Sequence, residues 1–347
     1  MTKIILIGGF LGSGKTTLLG DVAKRLTAKG HKVGLITNDQ TADLVDTKLL
    51  EAGALNVSEV HGSCFCCNFD GFIDAIQSLL KQGAEIIVAE PVGSCTDLSA
   101  TIVNPLKKFH PEWDVAPLTV LADPHRFLEV FSNVPSKVDP DALYIQKIQL
   151  EEADRIAVNK ADTLTKTDKE QILVLLKTAY PDKKTGLISA KTGEGIDAWL
   201  ADIQSSNDAG TTIAEVDYDK YAHGEAVLGW LNATATVSGG TVDAAAKLQT
   251  LLTDFQNELR KVNSEVGHVK ALYGNAAGNL TALDGVVDVR EIPPAKSASV
   301  VFNARVQTSP ETLERTVRDL FAKHGLKVET LKCLMPGRPN PTHRFSK

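Results

Sequence analysis

A glycine-rich stretch near the start of the chain restricts its possible folds more than any other feature. The apolar residues 3–7 lead into Gly-Phe-Leu-Gly-Ser-Gly-Lys-Thr at residues 9–16, and a helical pattern begins at Thr17. This spacing, between a strand and a helix, is that of a P-loop, in which backbone N–H groups surround phosphate. Glycine is required because a Cβ would clash at the backbone angles of such a turn. The motif therefore predicts a nucleotide site rather than a glycine-rich turn that binds nothing.

Lys15 is expected to reach the β- and γ-phosphates, and the hydroxyl of Thr16 is expected to ligate Mg²⁺. The helix that follows directs its positive N-terminal end at the same anion. We expect the phosphates to be bound by Gly9, Gly12, Ser13, Gly14, Lys15, Thr16 and Thr17.

The composition favours a globular protein and argues against several classes of partner. The chain has 347 residues, of which 43% are apolar and 23% charged, so it can form two domains with separate cores. Its formal net charge is −6 without a basic block, and we expect no nucleic-acid partner. The first apolar run is too short for a signal peptide and no run reaches membrane-spanning length, which predicts a cytoplasmic location and no membrane partner. In a reducing compartment the five cysteines are expected to be free, metal-bound or catalytic.

Apolar strands alternate with helical patterns over residues 1–205. After the first strand, the predicted strands lie at 32–37, 57–61, 85–89, 117–122, 155–158 and 186–188. This alternation predicts an α/β fold: a P-loop NTPase domain with a mostly parallel sheet and ligands at the carboxyl ends of its strands.

The remaining residues have a different character. Residues 206–222 lack an apolar period and are predicted to form a linker. Residues 223–347 show the order β-α-β-β-α-β, which predicts a smaller C-terminal α+β domain of the ferredoxin-like type. A Pro-rich stretch at 336–341 is expected to be an irregular tail.

Two polar segments that follow strands predict which base is bound. Asn159-Lys160-Ala161-Asp162 places a carboxylate where it can accept from N1–H and the 2-amino group of guanine, and adenine has neither donor. Asn159 would hold the loop, and the Lys160 stem would cover the face of the base. A second contact is expected after the next strand, from Ser189, Ala190 and Lys191, with the Ala190 N–H facing guanine O6. GTP and GDP are therefore the predicted ligands.

Two further segments are expected to respond to the γ-phosphate. Glu90 ends an apolar strand at the place of the acidic residue that holds the Mg²⁺ hydration shell, and Gly93 follows three residues later. The Gly93 N–H can meet the γ-phosphate, so this segment would distinguish GTP from GDP. A first switch is expected at 37–41, where Asp39 is a candidate for binding Mg²⁺ or for orienting the attacking water. The alternative for Asp39 is a helix N-cap.

Three cysteines, Cys64, Cys66 and Cys67, lie within four residues, just before a helix expected to begin near Phe69. The N-terminal end of a helix lowers thiol pKa values and favours thiolates. Such a cluster suits Zn²⁺ or a similar ion, which takes four ligands, and the fourth position is left for His61, Cys95, water or a group from another protein. The alternatives are a redox pair or inert thiols.

The combination of P-loop, Cys-x-Cys-Cys, Glu-x-x-Gly, Asn-Lys-x-Asp, linker and α+β domain resembles the CobW-type GTPases of the CobW/HypB/UreG superfamily. The resemblance implies a GTPase, slow without its client, that delivers Zn²⁺ or Co²⁺ to a client metalloenzyme, with a cobalamin- or corrinoid-linked enzyme as one candidate. Carried over by position, it implies metal ligands at Cys64, Cys66 and Cys67 and a phosphate and Mg²⁺ site that includes Lys15 and Glu90. Together with Asp39 from the expected first switch, Lys15 and Glu90 are the candidate catalytic residues.

Some residues differ from the usual pattern of that family. Ser63 replaces the glycine before the first cysteine, and Asn38-Asp39-Gln40-Thr41 replaces Asn-Glu-Phe-Gly. Cys95 follows the Glu-x-x-Gly segment where many relatives lack a thiol. A regulatory GTPase with only a structural metal therefore stays an alternative, whereas the Asn-Lys-x-Asp segment argues against a small-molecule kinase. A homodimer is an option that the sequence leaves open.

Overall fold

The computed structural model describes residues 1–39, 45–52, 55–131, 138–237, 243–293 and 299–345. The chain forms two compact units, and each unit is built from stretches that are not contiguous in sequence. The first unit consists of Met1–Asp39, Leu55–Tyr221 and Pro339–Lys347, and the second consists of Gln40–Ala54 and Ala222–Arg338. The last residues of the chain therefore belong to the unit that contains the P-loop.

The described strands, in chain order, are β1 (Thr2–Gly9), β2 (Val33–Asp39), β3 (Val57–His61), β4 (Ile86–Ala89), β5 (Trp113–Val115), β6 (Thr119–Ala122), β7 (Arg155–Val158), β8 (Lys184–Leu187), β9 (Gly229–Val237), β10 (Val266–Tyr273), β11 (Ala276–Leu280), β12 (Asp288–Glu291), β13 (Ser299–Val306) and β14 (Leu326–Leu334). The described α-helices are α1 (Lys15–Ala28), α2 (Val45–Ala52), α3 (Phe69–Lys81), α4 (Asn104–Phe109), α5 (Pro124–Phe131), α6 (Pro140–Glu152), α7 (Lys166–Ala179), α8 (Ile196–Ser205), α9 (Tyr218–Ala226), α10 (Ala244–Lys261) and α11 (Pro310–Lys323).

The first unit is built on a parallel sheet with the order β3-β2-β4-β1-β6-β7-β8, and β5 pairs with β1. This confirms the predicted α/β fold. Its central strands are buried apolar runs, as expected for a sheet covered on both faces. In register, Ala89 of β4 lies beside Leu6 of β1 and Ile36 of β2, so the carboxyl ends of these strands share one edge. The P-loop, Glu90 and Asp39 follow at that edge.

The second unit contains an antiparallel sheet with the order β12-β11-β10-β13-β9-β14. The part β10-β13-β9-β14, with α10 after β9 and α11 after β13, has the predicted ferredoxin-like order. The core includes Phe255 of α10, Phe302 of β13 and Phe321 of α11, whose rings meet edge to face. The sequence did not predict β11 and β12, because Ala-Ala-Gly-Asn and Asp-Val-Arg-Glu have low strand propensity.

Helix α2 lies between β2 and β3 in sequence but belongs to the second unit. Its Val45 packs in a small cluster with Leu272 and Val301, and the Val45 N–H donates to Asn303 Oδ1 at 2.8 Å. The stretch that contains α2, residues 40–54, begins directly after Asp39, the last residue of β2. The covalent path from the expected first switch therefore runs into the second unit.

Residues 206–217, within the predicted linker, form no helix or strand, and α9 begins at Tyr218. Ala209 and Tyr221 are buried, and the segment up to Tyr221 belongs to the first unit. Across the described ranges, none of the helices combines the length and apolar character needed to cross a bilayer.

Candidate functional site

The P-loop has the backbone that its glycines predict. Gly9, Gly12 and Gly14 have φ values of 133°, 77° and 94°, in the region that favours glycine. A Cβ on Gly9 would lie 2.4 Å from Leu121 O, and one on Gly14 would lie 2.3 Å from Asn159 Nδ2. Both contacts are too short for any other residue, so this cradle requires glycine.

The polar groups around the cradle suit a phosphate group. Lys15, the first residue of α1, donates from Nζ to Gly9 O at 2.8 Å and to Phe10 O at 3.3 Å, which folds the ammonium over the loop. Within the described part of the chain, the buried Ser13 hydroxyl has no hydrogen-bond partner. Thr17 lies in the first turn of α1. An anion in the cradle would accept from the Ser13 hydroxyl and lie at the N-terminal end of α1.

Thr16 and Glu90 meet across the edge of the sheet. The Thr16 hydroxyl donates to Glu90, with distances of 3.0 Å to Oε1 and 3.1 Å to Oε2, and the Glu90 side chain is buried. A hydroxyl and a carboxylate are oxygen ligands of the kind that Mg²⁺ prefers. These two residues therefore fit the predicted Mg²⁺ site.

The two expected switch segments begin at the same edge. Gly93 packs directly on the P-loop, since a Cβ there would lie 2.7 Å from Leu11 Cδ2 and 3.2 Å from Leu11 N. Asp39 is buried as the last residue of β2, and both alternatives for its role stay open. Gln40 and Thr41, the rest of the expected first switch, lie outside the described residues.

Asn159 joins three parts of the nucleotide site. Its Nδ2 donates to Ser13 O at 2.8 Å, and its Oδ1 accepts from the Ala190 N–H at 2.9 Å. One amide thus connects the P-loop with the segment after β8. The Ala190 N–H, which we expected to face guanine O6, is used by Asn159 in this arrangement; Lys191 beside it is exposed.

Two side chains orient the base-binding loop. The Ser189 hydroxyl donates to Asp162 Oδ1 at 2.6 Å. Lys160 pairs with Asp123 Oδ2 at 2.6 Å, and Asp123 also caps α5 by accepting from the His125 N–H at 2.9 Å. Burial would raise the pKa of Asp123, but the Lys160 charge outweighs it and holds that pKa below its usual value. The sequence analysis gave Asp123 no role. Its position directly after a buried strand could have identified it, because ligands bind at the carboxyl ends of parallel strands.

The cysteine loop is held by Asn38, the residue before Asp39. Asn38 Nδ2 donates to Val60 O at 3.0 Å and to Ser63 O at 2.8 Å, and its Oδ1 accepts from the Phe65 N–H at 2.9 Å. The sequence placed Asn38 in the switch without indicating this contact. Because one side chain holds the backbone on both sides of Cys64, a displacement of the end of β2 is expected to move that cysteine.

The thiols of Cys64, Cys66 and Cys67 lie within 4.8 Å of one another. The Cys64 and Cys66 sulfurs are 3.0 Å apart, and Cys66 and Cys67 are 3.8 Å apart. The loop turns tightly, with the Cys67 N–H donating to Cys64 O at 3.0 Å. Cys95 also contacts the thiols of Cys64 and Cys66. Among the described residues neither His61 nor Cys95 belongs to the group of three, but the interaction of Cys95 with two of the thiols makes it the better candidate for a fourth ligand.

Hydrogen bonds among the thiols shift their pKa values in opposite directions. Hydrogen bonds with Cys66, Cys67 and Cys95 hold the pKa of Cys64 well below its usual value. The pairing with Cys64, together with burial, raises the pKa of Cys66 well above the usual value and that of Cys67 to about 11. Of the three thiols, Cys64 is therefore the one most readily ionised. Thiolate is the form that binds a soft or borderline cation.

The C-terminal end of α6 hydrogen-bonds to the segment that begins at Gly93. Gln149 Nε2 donates to Gly93 O at 3.0 Å and to Cys95 O at 2.8 Å. Glu152, fully buried, accepts from the Ser99 N–H at 2.9 Å and from the Thr96 hydroxyl at 3.2 Å. Burial raises the pKa of Glu152 to about 8. The sequence did not point to these two residues, since nothing in a helical pattern distinguishes them.

This raised pKa predicts a pH dependence of stability. The folded chain keeps the Glu152 proton between the usual pKa of 4.5 and about 8, where the unfolded chain has lost it, so stability falls as pH rises through that range. In the wild type, the free energy of unfolding should decrease by something on the order of a few kcal/mol across this range, and Glu152→Gln should abolish that decrease. Denaturant unfolding at a series of pH values measures it. Glu151→Gln, at a half-exposed neighbour, is the control and should keep the wild-type slope. The same slope in Glu152→Gln and wild type would contradict the prediction.

The fold and the site together define a P-loop nucleotide-binding protein with a thiol cluster at the edge of its sheet. The chain belongs to the CobW/HypB/UreG family, because the nucleotide-binding domain of that family matches residues 3–185, more than half of the sequence. The resemblance inferred from the motifs is thereby confirmed.

Individual relatives are more distant. The zinc chaperone YeiR of Escherichia coli is 28% identical over 212 residues, which cover 60% of this chain and 60% of YeiR, so the chain spans only part of that protein's length. The urease accessory protein UreG of Haloquadratum walsbyi is 26% identical over 220 residues, covering 58% of this chain and 93% of UreG. Among solved structures, HypB from Helicobacter pylori in complex with nickel aligns at 16% identity and a TM-score of 0.43, covering 62% of this chain and 91% of HypB.

Proposed function

We propose that this chain is a GTP-hydrolysing metallochaperone that carries a divalent ion, Zn²⁺ or Co²⁺, and delivers it to a client metalloenzyme, of which a corrinoid-linked enzyme is one candidate. The observation that carries the proposal is the connection between the two sites. Asn38 holds the cysteine loop on the end of β2, directly before Asp39, and Cys95 reaches the thiols from the segment that begins at Gly93. The parts expected to sense the nucleotide are thus in contact with the parts suited to the ion.

The nucleotide half of the proposal rests on the cradle and the base loop. Lys15 and the P-loop N–H groups would bind the phosphates, and Asp162 would select guanine. Thr16 and Glu90 would hold Mg²⁺, which supplies neutralisation of the charge that develops on the phosphate oxygens. Asp39, buried at the end of β2, would orient the attacking water.

The metal half rests on the thiols. Cys64, Cys66 and Cys67 supply three sulfur ligands, and Cys95 is the proposed fourth. Zn²⁺ takes four such ligands, and Co²⁺ accepts a similar set. A ligand that comes from the nucleotide-sensing segment would let hydrolysis weaken the site, and the ion would then pass to the client. The names of YeiR, a zinc chaperone, and UreG, a urease accessory protein, support a role of this kind.

The proposal predicts that nucleotide and metal affinities are coupled. We expect the affinity for Zn²⁺ or Co²⁺ to be about tenfold or more higher with a GTP analogue and Mg²⁺ than with GDP, as is typical of coupled sites. Competition titration with a chromogenic chelator measures it. In Cys64→Ala both the affinity and the difference should be lost. Equal affinities in the two nucleotide states would contradict the proposal, because a ligand shifts only an equilibrium whose states it binds unequally.

A further inference from the structure

The last residues of the chain contact the cysteine cluster directly. The Asn340 N–H donates to Cys67 Sγ at 3.3 Å, and the Thr342 N–H donates to Cys66 O at 2.8 Å. We expected the Pro-rich end to be an irregular tail. It has no helix or strand over residues 335–345, but two of its backbone N–H groups donate hydrogen bonds to two of the three clustered cysteines.

Ring contacts and a backbone hydrogen bond of the same segment hold it against the first unit. The His343 ring packs edge-on against Phe69, the first residue of α3, with 5.1 Å between ring centroids, and lies 4.9 Å from the ring of Phe109. The Phe345 N–H donates to Ala100 O at 3.0 Å. The segment 339–345 therefore lies along the cysteine loop and the start of α3 with contacts on both sides of Thr342.

The strongest anchor is an ion pair with a buried carboxylate. Arg344 Nε donates to Asp97 Oδ2 at 2.6 Å, and Asp97 is only 1% exposed. The Tyr218 hydroxyl donates to the same oxygen at 2.8 Å. A buried carboxylate that loses its cation is left poorly compensated, so Asp97 and Arg344 should move together or separate at high cost.

Asp97 lies four residues after Gly93, between Cys95 and Ser99, whose backbones hydrogen-bond to the end of α6. A shift of the segment with the nucleotide would therefore displace the anchor of the tail. Through Asn340 and Thr342, that displacement would reach Cys67 and Cys66.

We propose that residues 339–345 form a clasp that closes the thiol cluster and opens when the segment after Gly93 changes with the nucleotide. The inference rests on the proposed function, since the clasp would retain the ion in the GTP form and release it after hydrolysis. The Asn340 N–H does not bind the ion itself but donates to the Cys67 sulfur and orients it. Along the chain, this clasp directly follows Arg338, the last residue of the second unit.

Two full-length variants test the clasp, each with a matched control. Asn340→Pro removes the N–H that Cys67 accepts, whereas Asn340→Ala keeps it. Arg344→Ala removes the anchor, whereas Arg344→Lys keeps a cation near Asp97. Circular dichroism establishes that each variant is folded. The readouts are the rate of Zn²⁺ release to a chromogenic chelator, with GDP and with a GTP analogue plus Mg²⁺, and the rate at which a thiol-specific disulfide reagent modifies the metal-free protein.

We expect Arg344→Ala and Asn340→Pro to release Zn²⁺ about tenfold faster than wild type, the scale found when groups supporting a metal ligand are lost. Arg344→Ala should also release at the same rate in both nucleotide states, and its thiols should be modified faster. Wild-type rates of release and modification in Arg344→Ala would overturn the clasp while leaving the metallochaperone proposal intact. Conversely, if wild type bound no Zn²⁺, the proposed function would fail, and the modification rates would still decide whether the segment covers the thiols.

Discussion

Asp162→Asn is expected to weaken GDP binding by about a hundredfold or more and to shift the preference of the site toward xanthosine diphosphate. The Asp162 carboxylate is oriented by the Ser189 hydroxyl at 2.6 Å and is suited to accept from N1–H and the 2-amino group of guanine. An asparagine would direct an N–H₂ donor at the 2-amino donor. Xanthine has an oxygen at that position, so the same substitution turns a repulsive contact into a hydrogen bond.

Isothermal titration calorimetry with GDP and xanthosine diphosphate measures both effects without interference from hydrolysis. Asp182→Asn, at an exposed carboxylate of the same unit, is the matched control and should bind GDP as wild type does. Unchanged GDP affinity in Asp162→Asn would mean that this loop does not select guanine, and the assignment of GTP as substrate would have to be withdrawn.

Cys66→Ala is expected to lower Zn²⁺ affinity by about a hundredfold or more while the protein stays folded. Loss of groups that merely support a metal ligand already costs about 10- to 100-fold, and Cys66 is proposed as a ligand itself. The Cys66 side chain is 1% exposed, so its replacement leaves a small cavity, with a stability cost of about 1 kcal/mol. Competition titration and thermal unfolding of the same preparation separate the two effects.

Cys333→Ala is the control for this substitution. Cys333 lies in the second unit, where its thiol donates to Pro310 O at 3.2 Å, and its replacement should leave Zn²⁺ affinity unchanged. Cys95→Ala tests the proposed fourth ligand and should lower affinity less than Cys66→Ala. If Cys66→Ala instead unfolded the protein, the metal would be structural, and the regulatory GTPase would become the better description.

Most of the first unit could be predicted from sequence because its signals are local. A parallel sheet buried on both faces needs continuous apolar strands, and the P-loop needs glycine at Gly9 and Gly14, where a Cβ has no room. The short strand β5, with three residues, is below the length at which a pattern can be recognised. In the second unit the four ferredoxin-like strands were predicted, whereas β11 and β12 were missed because their stability comes from pairing rather than from propensity.

In the candidate site, too, local motifs could be predicted from sequence and long-range contacts could not. The sequence by itself predicted the residues proposed to carry the chemistry, since the P-loop, Asn159 to Asp162, and the three clustered cysteines are short motifs that can be recognised by their spacing. Only the tertiary structure decided how those motifs are connected: Asn38 to the cysteine loop, Cys95 to the thiols, and Arg344 to Asp97. The physical reason is distance along the chain. Arg344 and Asp97 are separated by 247 positions, and no local pattern can indicate a hydrogen bond that depends on where the whole intervening chain folds.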